Sequence, residues 1–434
     1  MTLLIISPDY ASHLLPLATL GTAWRDAGER VVVATGPATA DIVESFGFER
    51  VNLQLGKGSN PGVIRAEQQP TGEDDALRGF FDATRRGMVE TLAFQAEARL
   101  SDLMWEPVRV AREVQAVVAQ IQPDAIIVDH LAFSARLALV AAGVAYADVV
   151  LGHPSALPVG DEVYGFPPAW PAAFDPTAEE LRMLRGLCDR VSESFTAEWN
   201  AALAELAPKA PPSESAFGEH GELLLLNYPA ELSPPARTAI LPPHRFLGSA
   251  VREEARDPEV EAWLAVSDDP FVYVSFGSFL SVRADVLACV CEALQRVGVR
   301  GAIAIGSADR SELGELPAEW LVREFLPQVT LLDRAAAAVT HGGNNSVTES
   351  MTAGVPLVVL PFSTDQFAGA AALEDAGFGI ALAPNTATVD ELEAAVRDAL
   401  ELPARAALAS LSAGLRQEAG SRRAFSAVAS VPTS

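Results

Sequence analysis

The sequence predicts an α/β protein with two doubly wound, parallel-sheet (Rossmann-like) domains that face each other across a cleft. Short apolar runs of strand length alternate along the chain with longer stretches of helical periodicity. This alternation occurs once in each half, and a proline-rich segment separates the two halves. Strands that alternate with helices form parallel sheets that are covered on both faces.

Five apolar runs in the first half have the length and composition of buried strands. They lie at 3–7, 31–35, 125–128, 147–151 and 223–227. Apolar residues every three to four positions indicate helices. These are expected at 14–27, 39–46, 132–142 and 177–206, with two long helices within 76–120. The segment 154–176 is rich in proline, glycine and aromatic residues, and an irregular loop of that length is typical of a functional element.

The second half repeats this plan. Strands are expected at 272–275, 301–305, 321–325, 337–340, 357–360 and 379–382. Helices are expected between them, including one at 284–297, and the chain ends in a helical stretch at 404–429. We therefore predict an N-terminal domain at 1–230, an interdomain linker at 231–250 and a second domain at 251–411.

Composition narrows the class of protein. The chain has 434 residues, a length typical of two to three domains, and a formal net charge of -26. Such a charge repels polyanions, so we expect neither a nucleic-acid nor an anionic-membrane partner. The three cysteines do not form a disulfide framework, and the N-terminus lacks the basic region of a signal peptide. No apolar run reaches the ~20 residues that span a bilayer. We expect a cytoplasmic protein.

The most informative stretch follows the predicted strand at 337–340. Two glycines, the second of which is Gly343, let the backbone turn tightly before a helix that should begin at 345 or 346. The first amides of that helix favour an anion such as a phosphate. His341, Asn345 and Ser346 can add donors, and Glu349 can accept hydrogen bonds from ribose hydroxyls. Ser346 and Glu349 are also spaced like a capping box, an alternative that leaves His341 and the glycines unexplained.

Polar or aromatic side chains follow three other predicted strands of the second half. Phe325 can stack on a nucleobase and Gln328 can bond the base or the sugar, with a core position as the alternative for Phe325. Asp365 and Gln366 suit sugar hydroxyls, with a helix N-cap as the alternative. Ser278 follows the strand at 272–275, where it can meet a second phosphate or belong to an ordinary turn.

The first half carries two candidate catalytic residues. His13 lies where a helix follows the first strand, and a neutral imidazole there can act as a general base. The helix N-terminus is expected to lower its pKa and keep it neutral. Asp129 follows the strand at 125–128, at the same sheet edge, and can stabilise the imidazolium. A helix cap is the alternative for Asp129, and a lone histidine is usually not catalytic.

Other motifs argue against competing classes. The remaining histidines lack the spacing of a metal site, so no metal is predicted. A GxGxxG that follows a strand and a GxxxxGK[ST] are both absent from the sequence. Their absence argues against a dinucleotide oxidoreductase and a P-loop ATPase.

Together these residues resemble the inverting, nucleotide-sugar-dependent glycosyltransferases of family one. That family has the GT-B fold and includes bacterial antibiotic glycosyltransferases and plant secondary-metabolite glucosyltransferases. The resemblance covers essentially the whole chain, is strongest over 325–366, and extends to the element at 12–17. It implies that His13 deprotonates the acceptor, that Asp129 balances the charge, and that the second domain binds a TDP- or UDP-sugar. The implied donor contacts are His341, Asn345 and Ser346 with the diphosphate, Glu349 with the ribose, Phe325 and Gln328 with the base, Asp365 and Gln366 with the sugar, and Ser278 close to the phosphates or the sugar.

Three positions depart from the family pattern. Ser12 stands where glycine is usual, and Phe325 stands where tryptophan is usual, so base stacking should be weaker or differently arranged. Asp333 lies where many plant members carry histidine, which favours the bacterial branch. The sequence leaves TDP and UDP donors open.

The implied reaction uses a nucleotide-sugar co-substrate but no metal and no other cofactor. The implied acceptor is a hydroxyl or similar nucleophile of a lipophilic small-molecule natural product, and a homodimer is left open. Aromatic residues of the first half are candidates for the acceptor site: Tyr10, Phe80, Phe81, Trp105, Phe133, Phe166 and Trp170. The C-terminal helix, at about 412–434, is implied to cross back onto the first domain. The alternatives are a nucleotide-sugar epimerase or hydrolase on the same fold, and a catalytically silent helper protein.

Overall fold

The computed structural model describes residues 1–60, 73–100, 103–280 and 282–430, without side-chain detail for 73–76, 278 and 279. These residues form two parallel sheets, of seven and six strands, with helices interleaved between the strands. This confirms the predicted fold class. The core strands are buried on both faces, as Leu3–Ile6 and Phe271–Ser275 illustrate. Such burial explains why their sequences read as continuous apolar runs.

The first sheet has the strand order β3-β2-β1-β4-β5-β6-β7. Its strands are β1 (Thr2–Ile6), β2 (Arg30–Thr35), β3 (Glu49–Asn52), β4 (Ala125–Asp129), β5 (Ala147–Val150), β6 (Leu223–Leu226) and β7 (His244–Phe246). The sequence did not predict β3 or β7. The first is a largely exposed edge strand without an apolar run, and the second lies within the segment predicted as the linker. The first sheet therefore extends to Phe246.

Eight helices of the described chain accompany this sheet. They are α1 (Ala11–Asp26), α2 (Ala40–Ser45), α3 (Glu73–Thr84), α4 (Met88–Arg99), α5 (Pro107–Ile121), α6 (Phe133–Ala142), α7 (Ala178–Leu206) and α8 (Pro235–Thr238). The prediction of two long helices within 76–120 is wrong, because three helices occupy that region. Gly87, with a φ of 137°, stands between α3 and α4. That backbone conformation is one that L side chains rarely adopt.

The second sheet has the order β10-β9-β8-β11-β12-β13. Its strands are β8 (Phe271–Ser275), β9 (Arg300–Ala304), β10 (Leu321–Arg323), β11 (Ala337–Thr340), β12 (Leu357–Val359) and β13 (Gly379–Ala381). The accompanying helices are α9 (Pro258–Val266), α10 (Gly277–Leu280), α11 (Ala284–Val297), α12 (Gln328–Leu332), α13 (Asn344–Ala353), α14 (Gln366–Asp375) and α15 (Val389–Leu400). In both sheets the strand order reverses beside the first strand, between β1 and β4 and between β8 and β11. Open α/β sheets bind ligands at such switch points.

The C-terminal helical stretch is divided into α16 (Arg405–Gln417) and α17 (Gly420–Ala429). The first packs against α13, where the Ser412 hydroxyl donates to the carbonyl of Thr352 at 2.6 Å. The second packs against α1, with the rings of Phe425 and Trp24 5.0 Å apart. The chain thus returns to the first domain through α17. Within the described residues, no helix has both the length and the apolar character needed to cross a bilayer.

Candidate active site

A cavity of about 760 Å³ lies between the two sheets. Both switch points contribute to its walls. From the first domain it is lined by His13 and Asp129, and from the second by His341 and the start of α13. The parallel strands of each sheet therefore direct their carboxyl-end loops into one shared space.

His13 and Asp129 are in direct contact. His13 lies in the first turn of α1, just beyond β1, and Asp129 is the last residue of β4, the strand that pairs with β1. The His13 Nδ1 atom lies 2.7 Å from the Asp129 Oδ2 atom. The backbone N–H of Leu131 donates to the other carboxylate oxygen at 2.8 Å, so the nearly buried carboxylate is held on both sides. Nε2 is left as the ring nitrogen of His13 that Asp129 does not engage.

The pKa of His13 differs from the sequence expectation. Burial of the imidazole lowers this pKa, but the charge of Asp129 and its hydrogen bond, together with the charge of Asp365, raise it by more. The net pKa of His13 therefore lies above its ordinary value, and the expectation that the helix N-terminus lowers it is wrong. A nearby carboxylate outweighs a helix dipole because a full charge at 2.7 Å acts more strongly than partial charges.

The predicted phosphate loop lies at the second switch point. Helix α13 begins at Asn344, one residue earlier than expected, with Gly343 as an N-cap that makes no side-chain capping bond. The capping-box explanation for Ser346 and Glu349 is therefore wrong. His341, Gly343, Asn345 and Ser346 all line the cavity. The free amides at the start of α13 form the anion-binding end of a helix.

Two glycines enclose the imidazole of His341. A Cβ atom at Gly343 would lie 2.4 Å from its Nε2 atom, and one at Gly277 would lie 3.0 Å from its Cε1 atom. Gly277 also has a φ of 69°, so a side chain would be strained there in any case. Burial lowers the pKa of His341 to about 4, so its ring is neutral near pH 7. It can offer a phosphate a hydrogen bond but not a positive charge.

Phe325 and Gln328 also line the cavity. Phe325 is 55% exposed, which excludes the core position considered as its alternative. The Gln328 amide donates to Glu349 Oε2 at 2.6 Å. Gln328 thus lines the cavity and also binds the buried carboxylate of Glu349.

Glu349 is placed differently from what the resemblance implies. It is 5% exposed and is not among the described residues that line the cavity. Arg252, which does line the cavity, donates to Glu349 Oε1 at 2.8 Å. Burial raises the pKa of Glu349, and the charge of Arg252 opposes that shift. The guanidinium therefore lies at the cavity wall and binds the carboxylate that was predicted to bind ribose.

Asp365 and Gln366 play separate parts. Asp365 lines the cavity, makes no capping bond to α14, and accepts a hydrogen bond from the backbone N–H of His153 at 2.6 Å. Gln366 is buried and is not among the described lining residues. Its amide oxygen accepts from the backbone N–H groups of Phe362 at 2.9 Å and Ser363 at 3.1 Å. Gln366 therefore shapes the turn that presents Asp365. The side chain of Ser278 lies outside the described residues.

The structure brings in two residues that sequence reasoning missed, and it places His153, a candidate pocket residue at the start of the proline-rich loop, outside the described cavity lining. Asn344 and Arg252 line the cavity, and His153 binds Asp365 through its backbone. Burial lowers the pKa of His153 to about 4. Asn344 stands inside the glycine-rich motif, but its contacts lie on the other domain. Arg252 follows the proline-rich segment, and no sequence motif there marks it as a site residue. The only signal in the sequence was their position beside the predicted site.

The first-domain wall of the cavity is partly aromatic. Of the seven predicted residues, Tyr10 and Phe166 are among the described lining residues. Tyr164, which was not predicted, also lines the cavity and stacks on Phe217 at a centroid distance of 3.9 Å. Phe133 instead packs in a core of aromatic rings with Phe217 and others. Periodicity alone does not distinguish a core ring from one at a cavity wall.

No group of three or more His, Cys, Asp or Glu side chains suited to a metal ion occurs among the described residues. The cavity walls include the His13–Asp129 pair, the N-terminus of α13, the neutral ring of His341, the charged side chains of Arg252 and Asp365, and aromatic rings. Such a set can accept a proton on one side and stabilise an anion on the other.

The fold and the cavity define a class, the GT-B glycosyltransferases. VinC, a glycosyltransferase solved in complex with DTDP, superposes on 99% of this chain and 99% of its own with a TM-score of 0.68, at 19% identity. The model of the family described as UDP-glucoronosyl and UDP-glucosyl transferase matches residues 180–412, more than half of the chain. The chain belongs to this family, which confirms the resemblance found in the sequence.

Individual relatives are distant. The chain is 28% identical to the glycosyltransferase GtfE of Amycolatopsis orientalis over 401 residues, which cover 89% of this chain and 87% of that protein. It is 30% identical to the NDP-glycosyltransferase YjiC of Bacillus subtilis (strain 168) over 154 residues, or 35% of this chain. The latter match spans only 38% of the length of YjiC.

Proposed function

We propose that this protein transfers a sugar from a nucleotide-sugar to a hydroxyl group of a lipophilic small molecule, with inversion at the anomeric carbon. The observation that carries the proposal is the pair of switch points that share one cavity. One presents the His13–Asp129 pair and the other presents the N-terminus of α13. A proton acceptor and an anion site on opposite walls are what a single displacement requires.

In the proposed reaction, His13 Nε2 removes the proton from the acceptor hydroxyl as its oxygen forms a bond to the anomeric carbon. The bond between that carbon and the diphosphate oxygen breaks, and the electron pair leaves with the diphosphate. Asp129 stabilises the imidazolium, which later releases its proton to water. The amides at the start of α13 and the neutral ring of His341 stabilise the departing anion by hydrogen bonds.

The donor contacts are proposed with one revision. Phe325 frames the base, Asn345 and Ser346 bind the diphosphate, and Asp365 binds the transferred sugar. Arg252 takes the place at the cavity wall that the resemblance gives to Glu349. Both UDP- and TDP-linked donors fit this proposal, since the family description names UDP-sugar enzymes and VinC was solved with DTDP.

The first-domain wall of the cavity supports a lipophilic acceptor. Tyr10, Tyr164 and Phe166 bring aromatic surface to the cavity beside His13. Apolar and aromatic walls with a few placed polar groups suit a lipophilic aglycone.

A His13→Ala variant tests the proposal. Donor binding is first established with thermal shifts for UDP, TDP and their sugars, because a bound ligand raises the unfolding temperature. Transfer to a panel of phenolic and alicyclic acceptors should then fall about 10²- to 10⁴-fold in the variant, while nucleotide binding persists. His244→Ala, which removes a histidine outside the described cavity lining, is the control and should retain transfer.

Three results would contradict the proposal. Undiminished transfer by the His13→Ala variant would exclude His13 as the base. Donor epimerisation or hydrolysis that is independent of both acceptor and His13 would favour the alternative enzyme. A wild-type protein that binds no nucleotide-sugar would favour the helper protein.

A further inference from the structure

Asn344 connects the predicted phosphate site to the opposite domain. It is the first residue of α13, and its side-chain amide donates to the carbonyl of Asn227 at 2.9 Å and to that of Leu151. Leu151 and Asn227 directly follow β5 and β6, so both carbonyls lie at the carboxyl edge of the first sheet. One amide group thus spans the cleft and bridges two strand ends.

The end of β5, which Asn344 contacts through Leu151, lies next to the His13–Asp129 pair. β5 pairs with β4, with Asp129 opposite Val149, and the N–H of His130 donates to the carbonyl of Val149 at 3.0 Å. Leu151 lies two residues beyond Val149 on the same strand end. The position of α13 is therefore linked to Asp129 through one side-chain hydrogen bond and one sheet ladder.

A second contact from the donor domain reaches the same short segment. Asp365 accepts from the N–H of His153, and a Cβ atom at Gly152 would lie 2.5 Å from Asp365 Oδ2. We call residues 151–153 the receiving segment. The residue at position 152 must stay small for this carboxylate to approach.

Residues beside this interdomain contact also bind the linker. The Asn227 side chain accepts from the N–H of Ala250 at 2.7 Å, and the Ser249 hydroxyl donates to that of Thr348 at 3.0 Å. Residues 344 and 348 are four apart and lie on one face of α13. That face is consequently attached to both the first sheet and the linker.

We propose that Asn344 is a positioning residue for sugar transfer. It fixes the distance between the leaving-group site on α13 and the His13–Asp129 pair by docking α13 on the receiving segment. This inference rests on the proposed function. Its amide bonds protein carbonyls on the far side of the cleft, so its effect on catalysis acts through domain geometry.

The chain offers a matched control in Asn385. Its side-chain amide also donates across the domains to a backbone carbonyl, that of Thr84, at 2.8 Å. Asn385 is not among the described residues of the active-site cavity. Alanine at either position therefore removes an interdomain hydrogen bond from a side-chain amide to a backbone carbonyl. The bond of Asn344 lies at the active-site cavity, and that of Asn385 lies away from it.

The test measures kcat, the Kd for UDP or TDP, and the radius of gyration by small-angle X-ray scattering. Asn344→Ala should lower kcat by about 100-fold, the effect of misplacing reacting groups by about 1 Å. Its nucleotide Kd should stay close to the wild-type value, and its ligand-free radius of gyration should increase. Asn385→Ala should leave kcat nearly unchanged.

Equal effects of the two variants on kcat would overturn the inference, as would a lost nucleotide affinity with an unchanged kcat. Absence of transfer in the wild-type protein with every donor would instead refute the proposed function. In that case the scattering comparison still decides whether Asn344 holds the domains together.

Discussion

At the residue scale, the decisive feature is the raised pKa of His13. A base with a raised pKa is a stronger proton acceptor, but a larger fraction of it is protonated near neutral pH. Asp129 is the cause, since burial alone would shift the pKa of His13 in the opposite direction. The activity should therefore decrease as the pH falls through a value above 6.5, the ordinary pKa of histidine.

The variant Asp129→Asn should separate the effect of the Asp129 charge on the pKa of His13 from the effect of burial. It removes the charge that raises the pKa of His13 and leaves the burial that lowers it. The acidic limb of the pH profile of kcat/KM should therefore move to lower pH. At the same time the maximal rate should fall about 10²- to 10⁴-fold, because the imidazolium loses its stabilising partner. Asp333→Asn, which removes an exposed carboxylate, serves as the control. An unmoved acidic limb in Asp129→Asn would mean that another group titrates.

At the scale of elements, the C-terminal helices hold the linker between the domains. Helix α17 begins so close to the linker that a Cβ atom at Gly420 would lie 2.3 Å from the carbonyl oxygen of Ser249. Gly248 in turn has a φ of 78° and lies under Leu415 of α16. The linker at 248–249 is therefore packed between two helices.

Two glycine-to-alanine variants test this packing. Gly420→Ala should lower the unfolding free energy by about 1 to 3 kcal/mol, because a backbone carbonyl must move. Gly414 lies inside α16, three residues before the helix ends, where an added Cβ atom would have no neighbour within 4 Å among the described residues. Gly414→Ala should therefore raise the unfolding free energy by about 0.5 to 1 kcal/mol through helix propensity. Differential scanning calorimetry of both variants gives the comparison. A stabilised Gly420→Ala protein would show that α17 does not pack tightly on the linker.

At the scale of the whole molecule, buried neutral histidines make the stability of the folded protein sensitive to acid. His153 and His341 stand on opposite sides of the cleft, and burial lowers the pKa of each to about 4. In the unfolded chain each accepts a proton near pH 6.5, so the unfolded state binds more protons between pH 6.5 and pH 4. The contribution of these two histidines to the unfolding free energy therefore falls as the pH decreases through that range. The contribution of His13, whose pKa is raised, is already complete below pH 6.5 and does not offset this loss.

Replacing His153 with glutamine should reduce this sensitivity. The loss of unfolding free energy between about pH 6.5 and pH 4.5 should be smaller than in the wild type by about 2 kcal/mol. Urea unfolding at three pH values measures this loss of unfolding free energy, with His244→Gln as the control. An identical pH dependence in wild type and His153→Gln would show that His153 takes up its proton at the same pH in the folded and the unfolded protein.

The sequence predicted local features well and contacts between distant segments poorly. Apolar runs revealed all but two strands, because burial on both faces requires such runs. It also placed His13 and Asp129 correctly at one sheet edge, since the carboxyl ends of neighbouring parallel strands meet there. It did not foresee that Arg252 would take the carboxylate of Glu349, or that Asn344 would reach Leu151. Those contacts depend on how the two domains face each other, which no local pattern encodes.

The receiving segment has a consequence for recombination between relatives. Asn344 and Asp365 meet it through the carbonyl of Leu151 and the N–H of His153, which every non-proline residue also possesses. Docking of the two halves is therefore largely independent of the side chains at 151 and 153, provided that position 152 stays small. Donor halves that carry Asn and Asp at the positions of 344 and 365 should be exchangeable onto this acceptor half. Under the proposed function, such exchanges would deliver different sugars to one acceptor.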